Sequence, residues 1–213
     1  NGIRLRPRLN LRDPALRETL SIGAPTVLVM LCSFAVVSVQ TAASYSFSES
    51  GPSVLAYARL WFTLPYAFLA VPITTTMFTE LAEMQAEVNT QGVKRGIVSG
   101  TNQILFFMIP FALYLMVFAL PLVTLYHAGA FTMESVGAIA SYLAVLAVAL
   151  PFYGVNTYLQ KVYSSVRKMG VFAGFNFVAG GVQIGLTMLA ASGVGDLPFE
   201  AIAAAEAAFY VVA

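Results

Sequence analysis

Charge is scarce in this sequence. Asp, Glu, Lys and Arg make up 10% of the 213 residues, against about a quarter in an ordinary soluble domain. With 59% hydrophobic residues and a mean hydropathy of +0.80, the chain cannot build a water-facing surface. Cysteine is nearly absent. Cys32 stands alone inside an apolar run, which excludes an intrachain disulfide framework or a cysteine-based zinc site and reads as a small buried hydrophobe. Also missing are a nucleophile and base pairing, a phosphate-binding loop and a metal-ligand cluster, so enzymatic chemistry has no visible carrier and no metal site is expected. No signal-peptide pattern precedes the first apolar run; the chain opens at Asn1 and stops at Ala213 inside another, and both ends read as cut from something longer.

Long apolar runs are what the sequence does have. A helix needs roughly 20 mostly apolar residues to cross the hydrocarbon core, because lipid cannot satisfy unpaired backbone groups. Such runs fall at 20–47, 54–78, 97–120, 136–158, 171–191 and 199–213, the last read as a truncated span. The expected fold is therefore all-α: a polytopic membrane protein with six transmembrane helices, preceded by a basic segment over 1–19 and forming one unit over 20–213. The breaks at 48–52, 89–92, 127–129, 167–170 and 192–196 are polar and rich in turn residues, and no soluble domain is inserted.

The formal net charge of +1 conceals an asymmetry. Arg4, Arg6, Arg8, Arg12 and Arg17 precede the first span, Lys94 and Arg95 lie in the second break, and Lys161, Arg167 and Lys168 lie in or beside the fourth. Alternating spans put all of these on one side, which the positive-inside rule makes cytoplasmic. The opposite breaks carry Glu49, His127, Glu134, Asp196 and Glu200 without a Lys or Arg. Adding or removing an early span would scatter the basic residues over both faces, so the pattern tests the span count too. Arg59 is the exception.

Arg59 lies an estimated ~8–10 Å inside the second span. An intramembrane cation usually faces a polar cavity or a carboxylate; the alternative is snorkelling to the headgroups. Glu206 is the matching anomaly, about two turns into the last span. It fits a proton or cation site, a partner for Arg59, or an interfacial carboxylate reached by water or held neutral by desolvation. The amides Gln40, Asn102, Gln103, Asn156, Gln160, Asn176 and Gln183 recur inside spans. Most are expected to be helix-packing contacts, with Gln40 and Asn156 taken as candidates for a polar cavity. Pro65, Pro72, Pro110, Pro121 and Pro151 permit bends, which favour a transporter over a passive anchor. Glu80, Glu83 and Glu87, interleaved with Leu81, Met84 and Val88, read as a solvated helix end. His127 reads as structural.

Four blocks resemble the MviN/MurJ family of lipid II flippases, within the wider superfamily of multidrug, oligosaccharidyl-lipid and polysaccharide exporters. They are Tyr57-Ala58-Arg59-Leu60 with Leu64-Pro65; the stretch at 121–132 that runs from Pro121 through His127 and Gly129 to Phe131-Thr132; Leu150-Pro151-Phe152-Tyr153; and 158–168. The second block is similar to the family's external turn after the ninth span, and it implies that this chain covers spans seven to twelve of about fourteen, the second of two six-helix lobes. The family's arginine usually stands one residue further from the tyrosine. One residue is about 100° of rotation on a helix, so the side that Arg59 faces is left open by the sequence. Met77 to Leu81 likewise replace a leucine, proline and serine pattern.

The resemblance implies a carrier that moves a polyprenyl-pyrophosphate-linked peptidoglycan precursor from the cytoplasmic to the external leaflet of the bacterial plasma membrane, by alternating access between two lobes. Its expected partners are that lipid, the bilayer and the first lobe of the same protein, with no nucleic acid. A pyrophosphate crossing a low-dielectric core needs a polar cavity with fixed cations, and Arg59 is the one cation here that could enter such a cavity. No cofactor is expected, while a coupling ion or the membrane potential stays open. Two other readings stand beside this one: a polysaccharide-lipid flippase or cation-coupled drug exporter of the same superfamily, which Glu206 would suit, and a non-transporting membrane scaffold.

Overall fold

The computed structural model describes residues 14–126, 132–193 and 195–213. Arg4, Arg6, Arg8 and Arg12 of the basic segment, and His127 with its neighbours to 131 in the second family block, lie outside the described residues. The described chain is helical: α1 (Pro14–Ser44), α2 (Gly51–Pro65), α3 (Val71–Ala86), α4 (Thr90–Val123), α5 (Met133–Ala147), α6 (Leu150–Ser165), α7 (Met169–Ala191) and α8 (Ala201–Val212).

The six expected spans map onto these helices in order. The first is α1. The second is longer than its apolar run, a rod of 36 residues over Gly51–Ala86 in which a π-helical turn, Tyr66–Ala70, joins α2 to α3. The third is α4, of 34 residues. The fourth is the pair α5 and α6, bent by 57°, and the fifth is α7. The sixth, α8, has 12 residues, about 18 Å of helix against a hydrocarbon core of about 30 Å. By length and composition, four of the described helices can cross a membrane, or five with the bent pair taken as one span.

Proline chemistry explains where these rods deform. The π-helical turn lies between Pro65 and Pro72, each of which withdraws a backbone donor, and Val71 N–H reaches back to Tyr66 O. Threonine hydroxyls on either side bond back to their own helix: Thr63 Oγ1 donates to Arg59 O at 2.9 Å and Thr76 Oγ1 to Pro72 O at 3.0 Å. Pro151 sits in the first turn of α6, just past the 57° bend, where a missing N–H costs nothing. At Pro110 and Pro121 no element ends: α4 continues through both.

The helices pack into one bundle. Ile104, Met108, Ala112, Leu115 and Ala119 of α4 are buried, a stripe at helical spacing against α5 and α6. Phe106, Leu113, Val117 and Leu120 of the same helix are exposed; an apolar outer face is what lipid tolerates and water does not. Ala58 and Phe62 of α2, Tyr142 and Leu146 of α5, Tyr158 of α6 and Ile202 of α8 complete the core. Helix α1 lies along α7 with Leu28, Leu31 and Phe34 uncovered.

Close approach depends on glycine at a few points. A Cβ at Gly100 would stand 2.3 Å from the Tyr158 hydroxyl, which donates to Gly96 O at 3.0 Å and so fastens α6 to α4. A Cβ at Gly51 would stand 2.3 Å from the backbone oxygen of Ser44, which fixes the narrow turn between α1 and α2.

The two ends of the bundle differ in charge. At one end Phe47, Ser48, Glu134, Ser135 and Phe199 surround a single hollow, bringing together the breaks that carry Glu49, Glu134, Asp196 and Glu200. At the other, Gln85 and Ala86 of α3 meet Ser164 and Arg167. There Glu80, Glu83 and Glu87 are exposed while Leu81 is buried, so the amphipathic extension of the second span is a solvated helix end.

Candidate functional site

Arg59 lies eight residues into α2 from Gly51, about 12 Å from the acidic end of the bundle. Its side chain is neither buried completely nor turned out to the surface: 26% remains exposed, against 6% for Glu206. The two meet, with Arg59 Nη2 at 2.9 Å from Glu206 Oε2. Of the sequence alternatives for Glu206, the partner of Arg59 is the one the geometry realises.

Gln40, fully buried near the C-terminal end of α1, completes the arrangement. Its Oε1 accepts a hydrogen bond from Arg59 Nη2. Its Nε2 donates to Glu206 Oε2 at 2.8 Å and to the Tyr142 hydroxyl at 3.0 Å. Four helices, α1, α2, α5 and α8, therefore converge through four side chains. The periodicity of each helix permits this: Gln40 shares its face with Val36 and Ala43, Arg59 with Leu55 and Phe62, and Glu206 with Ile202 and Ala203, all buried but Arg59. Ion pairs taken out of water must recover their hydration through good geometry and extra hydrogen bonds, and the amide of Gln40 supplies one bond to each charge.

The pairing uses little of the guanidinium. Arginine offers five donors in a planar fork, yet both contacts come from one nitrogen, and the carboxylate engages through one oxygen that Gln40 shares. Among the described residues, Arg59 Nε is buried without a hydrogen-bond partner. Arg59 and Glu206 also line a cleft of about 220 Å³ with Ser33, Gln183 and Tyr210. Aromatic rings bracket the pair. Tyr142 contacts Phe199 at 5.2 Å between centroids on the side of the acidic end, and Tyr153 contacts Phe62 at 5.3 Å and Tyr210 at 5.2 Å a turn deeper. These rings exclude water from much of the pair and strengthen its electrostatics.

Asn156 is not part of these contacts. It is buried on α6, and its Nδ2 has no hydrogen-bond partner among the described residues. Of the other amides, Asn176 is buried and donates to Phe172 O at 3.0 Å, Gln183 is buried at the cleft, Gln160 is half-buried on α6, and Asn102 and Gln103 are exposed on α4. Tyr142 was not singled out by the sequence. One tyrosine of ten in an apolar helix carries no local mark; only its position opposite Gln40 gives it a role.

Long apolar helices, one of them broken by a π-helical turn and one pair sharply bent, around an ion pair on a cleft, define a multi-pass helical membrane protein. The chain belongs to the family described as lipid II flippase MurJ, which it matches over residues 1–211. It is 25% identical over 114 residues to the lipid II flippase MurJ of Thermosipho africanus (strain TCF52B), an alignment covering 53% of this chain and 23% of that protein. A solved structure titled lipid II flippase MurJ, inward closed conformation, superposes with a TM-score of 0.66 at 23% identity, over 93% of this chain and 39% of that one. The chain thus spans less than half the length of these relatives.

Proposed function

We propose that this chain is the second six-helix lobe of a flippase that carries lipid II, a polyprenyl-pyrophosphate-linked peptidoglycan precursor, from the cytoplasmic to the external leaflet by alternating access between two lobes. The observation that carries the reading is the family match over nearly the whole chain, in a bundle that holds its one described mid-span cation, Arg59, at a cleft. On this reading the membrane is the bacterial plasma membrane, and the basic segment and the breaks with Lys94, Arg95, Arg167 and Lys168 face the cytoplasm.

The physics of the cargo suits the site. A pyrophosphate cannot cross hydrocarbon without fixed cations and donors, while its polyprenyl tail stays in the bilayer. Arg59 contributes such a cation from this lobe, Gln40 holds its orientation, and cations of the first lobe contribute the rest. The bend between α5 and α6 and the π-helical turn are places where the lobe can change shape without losing its helices.

Depletion of the full-length protein tests this reading. Lipid II is expected to accumulate in the inner leaflet and to become scarce in the outer one. Arrival of lipid II at the outer leaflet at the normal rate would contradict it.

A further inference from the structure

We propose that Glu206 is an internal stand-in for the anionic cargo group: it holds Arg59 while the site is empty and is displaced by an incoming phosphate or pyrophosphate. This rests on the flippase reading and names the device by which Arg59 would take and release the headgroup.

Three features of the geometry carry it. First, the Arg59–Glu206 contact is a single hydrogen bond of 2.9 Å to an oxygen already shared with Gln40, whereas phosphate oxygens can engage the guanidinium fork through two parallel bonds. A doubly bonded anion replaces a singly bonded one. Second, the displaced carboxylate would not be stranded. Gln40 Nε2 already donates to it at 2.8 Å, and the Tyr142 hydroxyl, which accepts from the same nitrogen at 3.0 Å, does not spend its own proton in that contact. Rotation of Tyr142 would turn that proton toward Glu206. Third, Arg59 Nε has no partner among the described residues, and both charges line the cleft through which an anion would approach.

The exchange also supplies a reason for release. A lone buried arginine would hold a pyrophosphate tightly and let it go slowly, while a tethered carboxylate competes for the cation at a fixed high effective concentration. Glu206 therefore weakens cargo binding and speeds turnover, the reverse of what a group that only props up Arg59 would do.

The test uses full-length protein in lipid nanodiscs, with two probes: a polyprenyl pyrophosphate and inorganic pyrophosphate. Glu206→Gln is expected to bind polyprenyl pyrophosphate about tenfold more tightly, the size of one charge-assisted hydrogen bond no longer competed for, and to flip it more slowly. Glu206→Asp, which keeps the charge but withdraws it by one methylene, is expected to give a smaller gain and serves if the neutral variant does not fold. A gain for both probes means that the anion alone displaces Glu206; a gain for the lipid alone means that the tail must dock first. Unchanged or weaker binding of both probes in both variants would overturn the exchange. Inorganic pyrophosphate bound by the wild type and more tightly by Glu206→Gln, with no binding of the lipid by either, would leave the exchange standing and remove the flippase reading.

Discussion

Arg59 and Glu206 are unequal partners. Glu206 is nearly sealed, at 6% exposure, and Arg59 keeps 26%. Removing the arginine leaves a buried carboxylate with neutral donors alone, Gln40 among them, whereas removing the glutamate leaves a guanidinium that can turn into the cleft. Breaking a fully buried pair costs roughly 3–5 kcal/mol; Arg59→Ala is therefore expected to approach about 3 kcal/mol, and Glu206→Ala about half that. The double variant should be less destabilised than the sum, since neither charge is then left alone. Melting temperatures of the full-length protein and its three variants in detergent check both statements; equal losses for the two single variants, or simple additivity, would contradict them. Arg59 and Glu206 were legible in the sequence because a charge inside an apolar run announces itself. Gln40 was legible as one of two amides taken for a polar cavity. Asn156 carried the same mark, and nothing in the sequence separated the amide that bridges two charges from the one that stays apart. Tyr142 had no mark at all, because the contact that defines its role spans 102 positions of chain.

At the scale of the helix, hydropathy located the spans and proline located some of their deformations. It could not show that Pro110 leaves α4 intact while Pro65 and Pro72 bracket a π-helical turn, since that depends on whether hydroxyls and neighbouring helices re-satisfy the freed carbonyls. Small residues set how close helices come, and this too waits on the partner. A Cβ at Gly180 would stand 2.6 Å from Cys32 Sγ, so Gly180→Ala is expected to push α1 from α7 and lower the melting temperature, by about 1–3 kcal/mol of stability. Cys32→Ala, which removes the opposing sulfur, should restore most of the loss; failure to do so would place the close approach elsewhere. Cys32, expected as a small buried hydrophobe, is half-buried at this contact. The turn from α3 to α4 gives a prediction of opposite sign. Val88 has φ +58°, while Asn89 N–H bonds Met84 O at 2.9 Å and Val88 N–H bonds Gln85 O at 3.2 Å, the pattern of a helix end that glycine usually closes. A β-branched residue is strained there. Val88→Gly is expected to raise stability by about 1 kcal/mol, read as a higher melting temperature.

The whole molecule was the most legible level in outline and the least in detail. Scarce charge, six apolar runs and one-sided basic residues described a multi-pass bundle, and the blocks around Arg59 and 121–132 pointed to the family that the chain matches over 1–211. The convergence of α1, α2, α5 and α8 on one polar cluster was not readable, because it needs the three-dimensional order of helices far apart in sequence. That convergence changes the functional question from whether Arg59 faces a cavity to what competes for it there. The most direct measurement is outer-leaflet lipid II in cells whose sole copy of the full-length protein carries Arg59→Ala, with its membrane level checked in parallel. The proposed function predicts a severe loss of outer-leaflet lipid II while the protein remains in the membrane; normal lipid II in the outer leaflet, at normal protein level, would contradict a role for Arg59 in moving the headgroup.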